Sequence, residues 1–343
     1  MIYIYDISCE DKWDKTVQSF SNYDVYYLSG YVKGFQAHGD GTPYLLYYES
    51  DELRAIYVLM RRETAISGIY DAITPYGYGG VLFDKVPTEL EVKDFYREYT
   101  EAMLDLGIVC NFVRYHPVLA NAEPMRTVST VIDLGQTITM DLSSEELIWE
   151  NITSKHRNMI RKAVKNGVSI HHGRDISLMD DFLRIYNATM ESDAADESYY
   201  FDRAFYDSIH NDLLDNYEMF YAVCDEQIVA MSIMIFANNR LNYHLSGSRY
   251  EYRKVAPTNL ILYEAAKWGC EQGMKTFHLG GGLGSAEDGL YKFKAGFNRN
   301  SDCRFSIGKE LFDQEKYNLL VDQCRQTKAD FIPDSSFFPL YRQ

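Results

Sequence analysis

Apolar positions in this chain recur with two periods that take turns along its length. PYLLYYES and LRAIYVLMRRE flank the turn residues Ser50 and Asp51 and are rich in strand formers, which predicts a hairpin. PTELEVKDFYREYTEAMLDLG has helical spacing, opened near Thr88 and closed by Gly107. IVCNFVRYH then reads as a buried strand, since β-branched and aromatic residues fill it without alternation. The same kinds of segment return after about residue 138. A helix, LMDDFLRIYNATM, precedes the strands EMFYAVCD, QIVAMSIMIFA and RLNYHLSGS, and a long helix, TNLILYEAAKWGCEQG, leads to the strand MKTFHLGGG. The repeated order predicts an α/β protein with mixed sheets in two similar halves. We place the first domain at residues 1–137 and the second at 138–308, with 309–343 a C-terminal segment packing back on the domains.

NITSKHRNMIRKAVKNGV is the sharpest local pattern. At about 100° per residue, Ile152, His156, Met159, Ile160, Ala163 and Val164 gather on one half of a helix, and Lys155, Arg157, Arg161, Lys162 and Lys165 on the other. Thr153 or Ser154 can cap its start and Gly167 can end it. Two readings of the cations stand side by side. One is a solvated face paired with neighbouring carboxylates. The other is a phosphate site built on Arg157, Arg161 and Lys162, serving coenzyme A, a nucleotide-linked sugar or tRNA; the arginine fork grips phosphate in two places.

Charge sharpens that question. Thirty-four Lys and Arg stand against 50 Asp and Glu, a net charge of −16, so a polyanion must meet a local basic patch to bind at all. The six cysteines are scattered, with no Cys-x-x-Cys pair, which argues for reduced thiols and against a disulfide framework or a metal site. MIYIYDISCEDKWDK lacks the basic start and apolar core of a signal peptide, and no apolar run is long enough to span a membrane. The expectation is a globular cytoplasmic protein.

Several segments resemble the Fem-type transferases of the GNAT superfamily. RNMIRKAVKNGV, from Arg157, is similar to the run that opens their second domain. TPYGYGGVL (74–82) and FVRYHPVL (112–119) look like two loop motifs of their first domain. The stretch from YHLSGSRYEYRKVAPTN to MKTFHLGGG looks like the last GNAT strand–helix–strand, and GLYKFKAGFN (289–298) resembles their Phe-Lys-x-x-Phe segment. The resemblance implies tandem GNAT domains, the first on the acceptor side and the second on the acyl-donor side. It also implies transfer of an acyl group from a thioester or an aminoacyl-tRNA ester to a primary amine, which in Fem enzymes belongs to a peptidoglycan precursor.

Amide formation needs a neutral amine, a proton acceptor worth about 10²–10⁴-fold, and a donor for the carbonyl oxygen as it gains charge. It requires no covalent intermediate, and GLGSA around Ser285 lacks the setting of a nucleophile elbow and reads as a loop. By the resemblance, Lys294 is the cation and Phe293 its substrate-binding neighbour; the alternative is a surface lysine between aromatic core residues. His116 stands where the Fem pattern usually has Asp before Pro, and histidine titrates in the right range for a base. Arg114, Tyr76, Gly77, Tyr78, Gly79 and His278 complete the candidate substrate site.

Arg253 and Lys254 are candidates for donor phosphates, although YRKVAPT (252–258) lacks the glycines of an acetyl-CoA loop. The acids Glu191 and Asp193 after Thr189-Met190 likewise depart from the basic Fem segment. Three functions follow: a Fem-like enzyme acting on a cell-wall or surface-polysaccharide precursor, an acyl-CoA-dependent N-acyltransferase acting on an amino sugar or small amine, and a non-catalytic binding protein. No tightly bound cofactor is expected, the donor being aminoacyl-tRNA or acyl-CoA.

Overall fold

A computed structural model describes residues 1–343, the side chain of Ser198 excepted. The chain divides into two compact units, Met1–Leu134 with Arg304–Gln343, and Gly135–Cys303.

The first unit runs through β1 (Ile2–Tyr5), α1 (Glu10–Gln18), α2 (Ser29–His38), β2 (Thr42–Glu49), β3 (Arg54–Glu63), β4 (Tyr70–Ile73), β5 (Leu82–Phe83), α3 (Glu89–Asp105), β6 (Ile108–Arg114) and β7 (Thr130–Gln136). The expected hairpin is β2–β3, paired from Thr42↔Arg61 to Glu49↔Arg54, with the Ser50 side chain closing the turn. Helix α3 starts where expected because Thr88 and Glu91 form a reciprocal capping box. It lays Val92, Phe95, Tyr99 and Met103 into the core.

The second unit holds β8 (Ile138–Asp141), α4 (Glu145–Asn151), α5 (Ser154–Lys165), β9 (Ser169–Gly173), α6 (Leu178–Ser192), α7 (Arg203–Asp212), β10 (Tyr217–Cys224), β11 (Gln227–Ala237), β12 (Arg240–Ser248), α8 (Pro257–Glu271), β13 (Thr276–Gly280) and α9 (Gly289–Ala295). Its sheet has the order β8-β13-β12-β11-β10-β9, antiparallel except for the parallel pair β12–β13. Helix α6 packs on β11 and β12, α8 on β10 and β11, and α5 on α8.

The chain then returns to the first unit as β14 (Arg304–Leu311) and α10 (Gln314–Thr327). Strand β14 pairs antiparallel with β6, so the first sheet reads β1-β2-β3-β4-β6-β14-β7, with β5 added beside β3. Residues 304–308, placed in the second domain from sequence, therefore belong to the first unit: β6 needs a partner on its second edge, and β14 supplies it. The tail after α10 is fastened by Tyr341 and Arg342 to the buried carboxylate of Asp71, at 2.9 and 2.5 Å.

Candidate active site

The second unit carries a fork. Strands β12 and β13 pair over three rungs only, ending at Asn242↔His278, yet β12 continues from Tyr243 to Ser248. Two parallel strands that part at their carboxyl ends leave backbone groups facing an opening, and in open α/β sheets ligands enter outside those ends. His278 sits on the last rung, 2% exposed.

Beyond β13 the chain turns through Gly280–Gly282 to α9. The loop doubles back so closely that a Cβ on Gly282 would lie 2.1 Å from the Ala286 carbonyl oxygen and 2.4 Å from Asp288 Oδ1. Asp288 fixes both ends of the turn. Its carboxylate accepts from the Tyr291 amide at 2.8 Å, capping α9, and from the Leu283 amide at 3.2 Å.

Lys294 projects from α9 back beneath this loop, where Nζ donates to the Gly281 carbonyl at 2.8 Å. It is 9% exposed, so the surface-lysine alternative is overturned. Burial pulls the ammonium down to about 8, against the opposing pull of Asp288. Phe293 is half-buried beside it, facing His156 and Phe297.

The basic helix α5 is anchored to the same element. Thr153 caps it, and both the Thr153 amide and hydroxyl donate to the Gly296 carbonyl, at 2.9 and 3.2 Å. His156, Ile160 and Ala163 are buried as expected, but Val164 is 59% exposed and Met159 only half-buried, because the apolar stripe is narrower than a half-helix. The five cations point outward. Arg157 and Arg161 lie over the Trp149 ring at 5.9 and 5.2 Å, and none of the five forms an ion pair among the described residues. The reading of a face neutralised by carboxylates is thereby corrected.

Arg253 and Lys254 lie on the 3-10 turn between β12 and α8. The Arg253 guanidinium is already engaged, by Asp193 at 3.6 Å and Ser248 Oγ at 3.4 Å. In place of the missing glycines, Ala256 takes the left-handed conformation, at φ 59°, and Pro257 starts α8.

The remaining candidates come together in the first unit. His116 Nε2 meets Asp24 Oδ2 at 2.9 Å, with both side chains fully enclosed. Tyr26 and Tyr78 pack against the imidazole, 5.6 and 5.8 Å between centroids, and the His116 amide donates to Asn121. Gly77 lies against the Tyr26 ring, Gly79 bridges to the Tyr115 backbone, and the Tyr76 carbonyl accepts from Tyr31 at 2.6 Å. Arg114, half-buried, lies over Phe112 at 5.3 Å. This loop is held by aromatic packing around a buried His–Asp pair.

Two residues of this geometry escaped the sequence reading. Asp24 is a lone acid within the aromatic run NYDVYY, and Asp288 has the residue type and position of a helix cap.

Residues 153–294 match the family model described as an acetyltransferase (GNAT) domain. No curated protein matches the sequence. Among solved structures, FemX superposes with a TM-score of 0.69 at 14% identity, covering 90% of this chain and 98% of FemX. The C-terminal domain of a proposed lysylphosphatidylglycerol synthetase from Agrobacterium fabrum gives 0.56 at 14% identity, covering 87% and 92%. A tandem GNAT protein from the clavulanic acid biosynthesis pathway gives 0.50 at 8% identity, covering 91% and 99%. Similarity at such identities is a statement about architecture. The chain thus has a Fem-like fold of two GNAT-like units, and the stretch that matches the GNAT acetyltransferase domain model lies within its second unit.

Proposed function

We propose that this protein is an acyltransferase that forms an amide, moving an aminoacyl or acyl group onto a primary amine of a cell-wall or surface-polysaccharide precursor. The observation that carries this reading is the buried Lys294 ammonium, hydrogen-bonded to the loop that leaves the β12–β13 fork. A donor whose chain lies in the fork presents its carbonyl near this loop. An ammonium enclosed by protein is suited to stabilise the oxygen as the amine adds, because its charge is unscreened by water. The Fem-like fold supports an aminoacyl donor and a precursor acceptor, since the superposition with FemX spans nearly the whole chain.

The acyl-CoA reading draws on a different observation, the match of residues 153–294 to an acetyltransferase domain. Against it stand the engaged Arg253 and the absent glycine loop. Calorimetric titration with acetyl-CoA and with coenzyme A separates the two. No heat up to millimolar ligand is the expected result and directs the search to charged tRNA. Micromolar binding that disappears in Arg253→Ala/Lys254→Ala would replace the aminoacyl reading by the acyl-CoA one, with an amino sugar or small amine as acceptor. A Lys294→Met protein that keeps full transferase activity would remove the catalytic role proposed for this lysine.

A further inference from the structure

The exposed face of α5 concentrates cations in an otherwise acidic chain. Many cations elsewhere are paired, such as Arg126 with Glu123 and Asp133, Arg174 with Glu218, Arg54 with Asp84, and Arg203 with Asp180 and Asp207. On α5 the five cations fall within one helix, about 15 Å from Lys155 to Lys165. In a chain of net charge −16, a local cluster that forms no ion pair among the described residues keeps part of its field for a partner.

The composition of the face selects the partner. Val164 stands 59% exposed between Lys162 and Lys165, and the indole of Trp149 lies half-buried beside Arg157 and Arg161. Cations bordered by an exposed aliphatic and a half-buried indole suit the boundary between lipid headgroups and acyl chains. Nucleic-acid sites that use aromatics offer a ring as a platform for a base. Here Tyr263, at 5.2 Å, and Arg161, at 5.2 Å, already pack on the Trp149 ring. The surface is also one outward helix face, which meets a plane readily.

We propose that α5 is a docking surface for an anionic phospholipid membrane, with Arg157, Arg161 and Lys162 meeting headgroup phosphates together with Lys155 and Lys165. Among the described residues no helix is long and apolar enough to cross a membrane. This inference stands apart from the chemistry at Lys294.

The test is co-sedimentation of the full chain with phosphatidylcholine vesicles, with and without phosphatidylglycerol. The protein is expected on the phosphatidylglycerol vesicles only, and to leave them at about 0.5 M salt, where the screening length is a few ångström. Each cation near an anionic surface is worth about fivefold in partitioning, so Lys162→Ala/Lys165→Ala should lower it about 25-fold. Both side chains are exposed and unpaired, so the variant should keep the native circular dichroism. Lys93→Ala/Lys316→Ala, two exposed lysines outside the face, should change nothing. Wild-type protein that ignores phosphatidylglycerol, or a double variant that binds as well as wild type, overturns the proposal. If wild type ignores the vesicles but retains total tRNA, and the α5 variant loses that retention, the face belongs to nucleic acid and the proposal falls.

Discussion

Lys294 shows what a candidate catalytic group does to its own protein. Its folded-state pKa, about 8, lies below the ordinary 10.5, so the native state resists the charge. That cost is present in full below pH 8 and is relieved as pH rises from about 8 to 10.5. Two and a half units correspond to about 3 kcal/mol, from which the lost hydrogen bond to Gly281 takes about 1. Lys294→Met should therefore stabilise the protein by about 2 kcal/mol at pH 7 and lose that advantage by pH 10.5, read from urea unfolding at both values. The same change should cost about 10²–10³ in kcat, and wild-type activity should fall as pH rises through about 8. A methionine variant less stable than wild type at both pH values would make the lysine a structural donor. The motif around Phe293 was enough to single out this lysine, because residue type is local information. Its burial was not, since the enclosing loop is held by Asp288 and by a glycine whose necessity appears only when the chain doubles back.

At the scale of elements, local signals fared well wherever the chain chooses its conformation locally. The Thr88 capping box and the Ser50 turn are read within a few residues, and both elements begin and end near where the sequence put them. The seven-residue α9 is a different case, since it is too short to be stable by propensity and depends on what it touches. Its C-terminal Gly296 has an ordinary helical backbone, so conformational freedom does not explain it. The imidazole of His156 does: a Cβ on Gly296 would lie 2.1 Å from its Cε1 atom. Burial also lowers the pKa of His156, which favours the neutral ring against this backbone. Gly296→Ala should thus cost about 1–3 kcal/mol by overpacking, and adding His156→Ala should return part of that loss. Chemical denaturation of the two single variants and the double closes the cycle. Additive losses would mean that the helix and the ring do not press on each other. Sequence could not show this contact, because 140 positions separate the two residues and neither is unusual alone.

The path of the whole chain leaves a mark in the first unit's core. Strand β14 arrives only after the entire second unit has been threaded, and it brings Glu310 into a site prepared by residues some 200 positions earlier. One carboxylate oxygen, Oε2, accepts from the Tyr99 hydroxyl and from Asn111 Nδ2, each at 2.8 Å, and Tyr57 completes the cluster through Asn111. No cation pairs with it among the described residues, and its partners lie far off in sequence, so a pattern of local segments could not anticipate a buried acid on the returning strand. Burial, only partly offset by these bonds, raises Glu310 to about 7 from 4.5, so the native state holds a proton that the unfolded chain releases. Stability from this group is complete below about pH 4.5, declines as pH rises to about 7, and is level above. The difference amounts to about 3 kcal/mol. Glu310→Gln keeps an oxygen for Tyr99 and Asn111 but cannot ionise. Relative to wild type it should be close to neutral in urea unfolding at pH 5 and more stable by about 2–3 kcal/mol at pH 8. Other groups titrate over the same range, but they are common to both proteins and cancel in the comparison. An equal difference at the two pH values would mean that Glu310 is charged in the folded core throughout, held by a partner other than Tyr99 and Asn111.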